Sequence, residues 1–303
     1  YDIVDSHNPK GTLLGPVAGQ LAKVKAVVHT VHGFLFNENS RGLHRIAAEG
    51  AERWCARWSD DLLFQSREDF DYARAHGYKK SDRLHLIGNG VDERRFDPTL
   101  EPEARAGKRA ELGFAEEDLV VGMVTRLVRE KGCVEFYQMA ARLAEQWPRA
   151  RFLMVGIPEE KDQSDAVDPV QLMREYGVAD SCIALEHRTD MPELYQAMDV
   201  LVLPSYREGL PRAVIEAGAM GLSVVASDIR GCREVVVAGE TGLLTALKDV
   251  EALVAAVARL LGDRDLRMAM GRAGRERVMQ HYTEALTTQR VADCYRQCIE
   301  EGR

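Results

Sequence analysis

Leu201-Val202-Leu203-Pro204-Ser205-Tyr206-Arg207-Glu208-Gly209-Leu210-Pro211 is the most informative stretch of this chain. An apolar run ends at Pro204, a polar loop follows, and Pro211 sits where prolines favour the first turn of a helix. The predicted helix continues Arg212-Ala213-Val214-Ile215-Glu216-Ala217-Gly218-Ala219-Met220 and is apolar nearly all round, as a buried helix is. A strand that runs through a loop into a buried helix is one unit of a parallel α/β sheet.

The same pattern recurs in both directions. Upstream, strand-like runs at 1–6, 26–31, 62–66 and 84–87 alternate with helical runs at 15–22, 41–58 and 68–76. In the longest of these helices, Leu43, Ile46, Ala47, Trp54 and Trp58 fall at helical spacing and are expected to face the core. Gly88-Asn89-Gly90-Val91-Asp92 reads as a turn of residues that tolerate positive φ, and the polar stretch 96–107 reads as a linker. Further strands are predicted at 119–125, 152–155, 183–186, 200–204 and 224–227, with a helix at 132–147. After about Lys248 the chain reads as all helix. Two doubly wound α/β domains facing across a cleft are expected, with ligands at the carboxyl ends of the strands.

Composition narrows the function. The net charge of −8 argues against bulk binding to nucleic acid, which needs a basic face. The six cysteines fit no zinc or CxxC spacing and read as free thiols in a reducing cytosol; Cys294 and Cys298 stand four apart on a predicted helix. No apolar run reaches the ~20 residues of a membrane span. Walker, GxGxxG, HExxH and GxSxG motifs are absent, and no Asp-x-Asp stands in the loop at a strand's end to hold a divalent ion.

The chemistry therefore sits in the loops. The helix start after Gly209 offers free backbone N–H groups and a partial positive charge, an anion site. Glu208 lies just before it. Glu216 needs a partner in a buried helix, either a nearby arginine or a ligand's pair of hydroxyls. Arg126 and Lys131, in Val124-Thr125-Arg126-Leu127-Val128-Arg129-Glu130-Lys131-Gly132, put two cations at another strand end, as a diphosphate requires. In Val28-His29-Thr30-Val31-His32-Gly33, His29 reads as a core histidine. His32 reads as a base, a donor or simply a loop residue.

Together these segments resemble the family 4 retaining glycosyltransferases of GT-B fold. The resemblance rests on the 88–92 turn, Arg126 with Lys131-Gly132, Glu208-x7-Glu216, and Gly231-Cys232-Arg233-Glu234, in that order along the chain. It implies two Rossmann-like domains, an acceptor-side domain at 1–100 and a nucleotide-sugar domain at 101–281. It also implies a last helix within 282–303 that crosses back to the first domain through Leu286, Val291, Tyr295 and Ile299. The resemblance implies that Arg126 and Lys131 hold the donor diphosphate, Glu216 the ribose and Glu208 the sugar. Gly209 and Leu210 present backbone amides, His32 faces the reacting centre, and Glu186, His187 and Arg188 line the nucleobase pocket.

The activity implied is metal-independent transfer, with retention, from a nucleotide-sugar to a glycan or polyprenyl-diphosphate-linked acceptor. His-Thr-Val-His-Gly-Phe with Tyr-Arg-Glu-Gly-Leu-Pro-Arg is most similar to the branch that builds capsule, O-antigen and lipid-linked oligosaccharides, where UDP-sugars and UDP-N-acetylhexosamines are common donors. No nucleic-acid partner is expected. The expected location is cytoplasmic, extending to peripheral contact with the inner face of the membrane. A sugar-nucleotide epimerase or hydrolase, and a non-catalytic subunit of a glycan assembly complex, are the competing readings. Two departures stand out. The family's first strand and Gly-rich loop do not precede Tyr1, so the first domain is expected to be incomplete by roughly 70–90 residues, two or three βα units of ~30 residues each. Leu222 replaces a frequent proline.

Overall fold

The computed structural model describes residues 1–36, 40–100, 103–157 and 165–300. The chain divides into two compact units: Tyr1–Gly90 with Glu208–Leu210 and Tyr282–Arg303, and Val91–Arg207 with Pro211–His281.

The first unit opens with β1 (Ile3–His7), α1 (Asn8–Leu21), β2 (Ala26–Val31), α2 (Gly42–Trp58), β3 (Asp61–Phe64), α3 (Arg67–Ala75) and β4 (Leu84–Leu86). Its sheet is parallel, in the order β1-β2-β3-β4. Every residue of β2 and β3 is buried, which is why both read as continuous apolar runs with few polar interruptions. The expected core face of α2 is corrected. Leu43 is 84% exposed, Ile46 69% and Trp54 47%, and Ala47 is exposed too; Ala48, Glu52, Cys55 and Ala56 are buried instead. This helix carries apolar residues on two sides, so spacing located the helix without fixing its phase.

The second unit contains α4 (Ala104–Glu111), β5 (Leu119–Arg126), α5 (Cys133–Gln146), β6 (Ala150–Ile157), α6 (Pro169–Glu175), β7 (Cys182–Leu185), α7 (Met191–Ala197) and β8 (Val200–Leu203). It continues with α8 (Arg212–Ala219), β9 (Ser223–Ser227), α9 (Arg230–Val235), β10 (Gly242–Thr245), α10 (Val250–Gly262) and α11 (Arg264–His281). Its parallel sheet runs β10-β9-β8-β5-β6-β7. Phe136, Phe152, Leu143, Val202 and Val257 belong to one core on this sheet.

Two expectations change here. The edge strand β10 was not foreseen: only its ends are fully buried, so it lacks an apolar run. The 96–107 stretch is not a linker throughout, since Phe96 is buried and α4 begins at Ala104.

The last helix, α12 (Glu284–Glu300), belongs to the first unit. Cys294 and Cys298 are its buried anchors, with Val291 and Tyr295 packed beside them; Ile299, an expected anchor, is 43% exposed, and Leu286 is half-buried. Gly88 has the expected positive φ of 76°, but Gly90 serves close packing: a Cβ there would lie 2.5 Å from the Thr283 carbonyl oxygen. All six cysteines are free and buried. Among the described residues, no helix is long and apolar enough to cross a membrane.

Candidate functional site

In the second unit, β5 and β8 are neighbours at the centre of the sheet. From β5 the chain winds outward to β6 and β7. From β8 it winds the other way to β9 and β10. The β5/β8 junction is thus the topological switch point, the place where ligands of such sheets bind. Arg126 is the exposed last residue of β5, and a 3-10 turn at Arg129–Lys131 leads into α5.

The two loops are joined by a dense set of contacts. The Tyr206 N–H donates to the Glu130 carbonyl at 2.8 Å, and the Ser205 hydroxyl donates to the Lys131 carbonyl at 3.4 Å. The Lys131 ammonium donates to the Arg207 carbonyl at 3.2 Å. Arg207 grips the Glu130 carboxylate with Nε at 2.7 Å and Nη2 at 3.3 Å. Burial raises the Glu130 pKa, but Arg207 and then Lys131 and Arg126 outweigh it, so the carboxyl titrates below its usual range. Tyr206 completes the join by donating its hydroxyl to Glu135 at 2.5 Å, beneath the Lys248 ammonium 4.3 Å from its ring. Gly132 makes this approach feasible. Its φ is 77°, and a Cβ would lie 2.2 Å from the Pro204 carbonyl oxygen.

Glu216 projects from α8. Its Oε2 accepts from the buried Tyr195 hydroxyl at 2.9 Å, and its Oε1 lies 3.6 Å from Arg212 Nη2. Burial raises its pKa despite Tyr195, Arg212 and Arg95. The arginine partner weighed at the outset is present, and a tyrosine partner joins it. His187 and Arg188 lie after the edge strand β7, two strands from β5. His187 is exposed. Arg188 is held by Asp190 at 2.7 and 2.6 Å and by Glu111 at 3.1 Å, and Lys108 binds the same Asp190 at 2.6 Å.

In the first unit, His32 follows β2 and its Nε2 is 2.9 Å from His7 Nδ1. His7 Nε2 is 3.4 Å from Asp5, which also accepts from the Tyr295 hydroxyl at 2.6 Å and the Thr30 hydroxyl at 2.9 Å. Desolvation, then the charge of His7, lowers the His32 pKa. Glu208 is half-buried and Leu210 buried. Gly209 lies so near the His32 backbone that a Cβ would come within 1.9 Å of the His32 carbonyl oxygen. His29 is buried, its Nδ1 lies 2.9 Å from the Ser6 carbonyl oxygen as a donor to it, and it is pushed down to about 4 by desolvation, as a packed core histidine is.

The structure thus joins the Arg126–Gly132 and Pro204–Arg207 segments directly. Sequence reading missed Glu130 with Arg207, Tyr195 and His7. Only His7, at the end of a predicted strand, carried a readable signal. Among the described residues, no three His, Cys, Asp or Glu side chains are grouped as a cation site.

Comparison with known proteins follows the same segments. Residues 105–277 match the family model described as glycosyl transferases group 1, and residues 1–95 match that of glycosyltransferase family 4. The chain is 29% identical to the UDP-Gal:alpha-D-GlcNAc-diphosphoundecaprenol alpha-1,3-galactosyltransferase of Escherichia coli, covering 97% of this chain and 75% of that one. It is 31% identical to the D-inositol 3-phosphate glycosyltransferase of Corynebacterium urealyticum, over 98% of this chain and 71% of that one. Among solved structures, sucrose-phosphate synthase from Thermosynechococcus elongatus superposes with a TM-score of 0.83 at 26% identity, covering 99% of this chain and 74% of that one.

Proposed function

The chain belongs to the group 1 glycosyl transferases, and from that premise we propose that it transfers a sugar, with retention at the anomeric carbon, from a UDP-sugar to a glycan or polyprenyl-diphosphate-linked acceptor. The observation that carries this reading is the joined pair of loops at the β5/β8 switch point. Arg126 and Lys131 stand at one side, and the start of α8 follows the other.

Breaking the glycosidic bond places negative charge on the leaving diphosphate. Arg126, Lys131 and the backbone N–H groups from Gly209 to Arg212 stabilise that charge electrostatically. In this reading, fixed cations take the role that a divalent ion fills elsewhere. The bond network orients Lys131 before the donor arrives, which lowers the cost of ordering it on binding. Glu216, steadied by Tyr195, receives the two ribose hydroxyls. Glu208 receives a hydroxyl of the sugar, and Gly209 and Leu210 offer amides. The loop at His187 and Arg188 lines the nucleobase, its arginine held in place by Asp190 and Glu111.

His32 faces the reacting centre as a hydrogen-bond donor to the sugar, with His7 and Asp5 setting its tautomer. The departing phosphate takes the acceptor's proton, so no separate base is required. The E. coli relative's name carries a UDP donor, a diphosphoundecaprenol acceptor and an alpha linkage, which supports the same classes here. We assign a cytoplasmic location with peripheral membrane contact. Support comes from the exposure of Leu13, Leu14 and Leu21 on α1 and of Leu43, Ile46 and Trp54 on α2.

The test is product analysis. The purified chain is incubated with a panel of UDP-sugars, with and without a GlcNAc-diphosphopolyprenol acceptor, and the anomeric proton of the product is read by NMR. An acceptor-dependent α-linked product from an α-configured donor supports the reading. Free sugar formed at the same rate without acceptor identifies a hydrolase, and an isomerised UDP-sugar identifies an epimerase; either result overturns it.

A further inference from the structure

Away from the donor loops, the first unit holds a buried ring of four reactive groups. Cys294 and Cys298 lie one turn apart on α12, with their sulfurs at 3.9 Å. The Cys298 thiol is 3.3 Å from Asp61 Oδ2. Asp61 Oδ1 is 2.8 Å from His85 Nε2, and Arg83 Nη1 is 3.3 Å from Asp61 Oδ2. His85 also interacts with Cys294. A thiol beside an imidazole that is itself bound to a carboxylate is the arrangement that activates a nucleophile, and here a second thiol stands in contact with it. None of these residues has a part in the transfer reaction proposed above.

We propose that Cys294 and Cys298 form a peroxide-responsive dithiol, in which Cys294 is oxidised first and Cys298 closes the disulfide. The other thiols differ in surroundings. Cys55, Cys133 and Cys182 are pushed up to about 12 by burial, which leaves them as inert thiols. Cys294 shifts the other way, downward, through the Cys298 thiol first and then His85, against its burial. His85 is pushed up to about 9, chiefly by its bond to Asp61, and so carries a positive charge at neutral pH. Contact with Cys294 and burial push Cys298 up, as suits a resolving thiol that stays protonated until it is used.

The chemistry balances with a small hydroperoxide as oxidant. The Cys294 thiolate attacks one peroxide oxygen and the O–O bond breaks. The leaving hydroxide takes a proton from His85 and departs as water, leaving a sulfenic acid. Cys298 then passes its proton to Asp61 and attacks the Cys294 sulfur. The S–S bond forms and the S–O bond breaks. The hydroxide released takes the proton from Asp61 and leaves as a second water. The sulfurs lose two electrons and the peroxide gains them.

Oxidation also alters α12. Helical residues four apart hold their Cβ atoms about 5–6 Å apart, whereas a disulfide needs about 3.5–4.5 Å. Closing the bond therefore distorts the turn from Cys294 to Cys298. It also withdraws both sulfurs from the core formed with Val28, Leu63 and Ile87. The switch thus acts on the seating of α12 against β2 and β3. Both thiols are buried, so peroxide reaches them during brief local fluctuations that leave α12 in place.

The experiment is hydrogen peroxide titration of the full chain at pH 7, with peptide mapping by mass spectrometry. Cys294 is expected to react at least about tenfold faster than Cys55. The wild-type product should be a Cys294–Cys298 disulfide that dithiothreitol reverses, with faster amide exchange across 284–300. Cys298→Ser should stop at a sulfenic acid that dimedone traps on Cys294, and Cys294→Ser should lose the fast phase. Near-UV circular dichroism checks that both variants are folded, and the wild-type map stands without them. Oxidation of Cys294 no faster than Cys55, or a wild-type product without the 294–298 bond, overturns the proposal.

Discussion

Replacing Gly132 by alanine tests whether joining the two loops is what builds the donor site. Two costs are separable. A left-handed backbone at a residue with a Cβ costs about 1–2 kcal/mol. In addition, the new Cβ would lie 2.2 Å from the Pro204 carbonyl oxygen, well inside the 3.4 Å of ordinary contact. Pro204 must retreat by more than an ångström, which breaks or stretches the Tyr206–Glu130 and Ser205–Lys131 bonds at about 1 kcal/mol each. The total is about 3–4 kcal/mol. Gly177→Ala is the control, because Gly177 has a similar φ of 67° but nothing within 4 Å of its Cβ position. At about 2–4 °C per kcal/mol for a unit of this size, Gly132→Ala should lower the melting temperature by about 6–16 °C and the control by about 2–8 °C, with the ratio near two or more whatever the slope. Calorimetric titration with UDP should show loss of affinity in Gly132→Ala alone. Equal melting shifts in both variants, or undiminished UDP binding in Gly132→Ala, would refute the reasoning.

Other consequences are as specific. Glu52 is pushed up to about 7 by burial and by Asp69, so its contribution to stability is full below about pH 4.5 and is lost as pH rises through 7. Glu52→Gln should therefore match the wild type near pH 4.5 and exceed it by about 1–3 kcal/mol at pH 8 in urea titrations; a difference that does not vary with pH would contradict this. Arg109 is buried and bonds Asp199 at 2.6 Å and the carbonyls of Ala197, Glu116 and Asp118. Arg109→Met should cost about 3 kcal/mol in chemical unfolding, at the low end for a broken buried pair, because Arg105 still binds Asp199. Tyr195→Phe should weaken UDP binding by about tenfold through the lost bond to Glu216, with uracil-free pyrophosphate unaffected.

The sequence disclosed some parts of this molecule more readily than others. Strands β2 and β8 are buried along their whole length, so an apolar run marks them, broken only in β2 by His29 and Thr30. β10 is as short as β8, but it is an edge strand with a half-buried middle and leaves no such mark. α2 was visible as a helix, but its exposed Leu43, Ile46 and Trp54 imitate a core face. Arg126, Lys131 and Glu216 were conspicuous because charge at a strand end or in an apolar helix demands an explanation. Their supports were not, because contacts across the fold obey no spacing rule. Tyr195 and Glu216 are 21 residues apart, and Glu130 and Arg207 are 77 apart. Only the sheet order, which sets β5 beside β8, brings the second pair together.

The most direct test of the account is the binding of a nucleoside diphosphate to the switch-point loops. UDP is titrated calorimetrically into the wild type and into Lys131→Ala. A charge-assisted contact to phosphate is worth about 1.5–3 kcal/mol, so the variant should bind UDP about 10- to 100-fold more weakly while uridine binds both alike. Equal affinity of the two proteins for UDP would contradict the account.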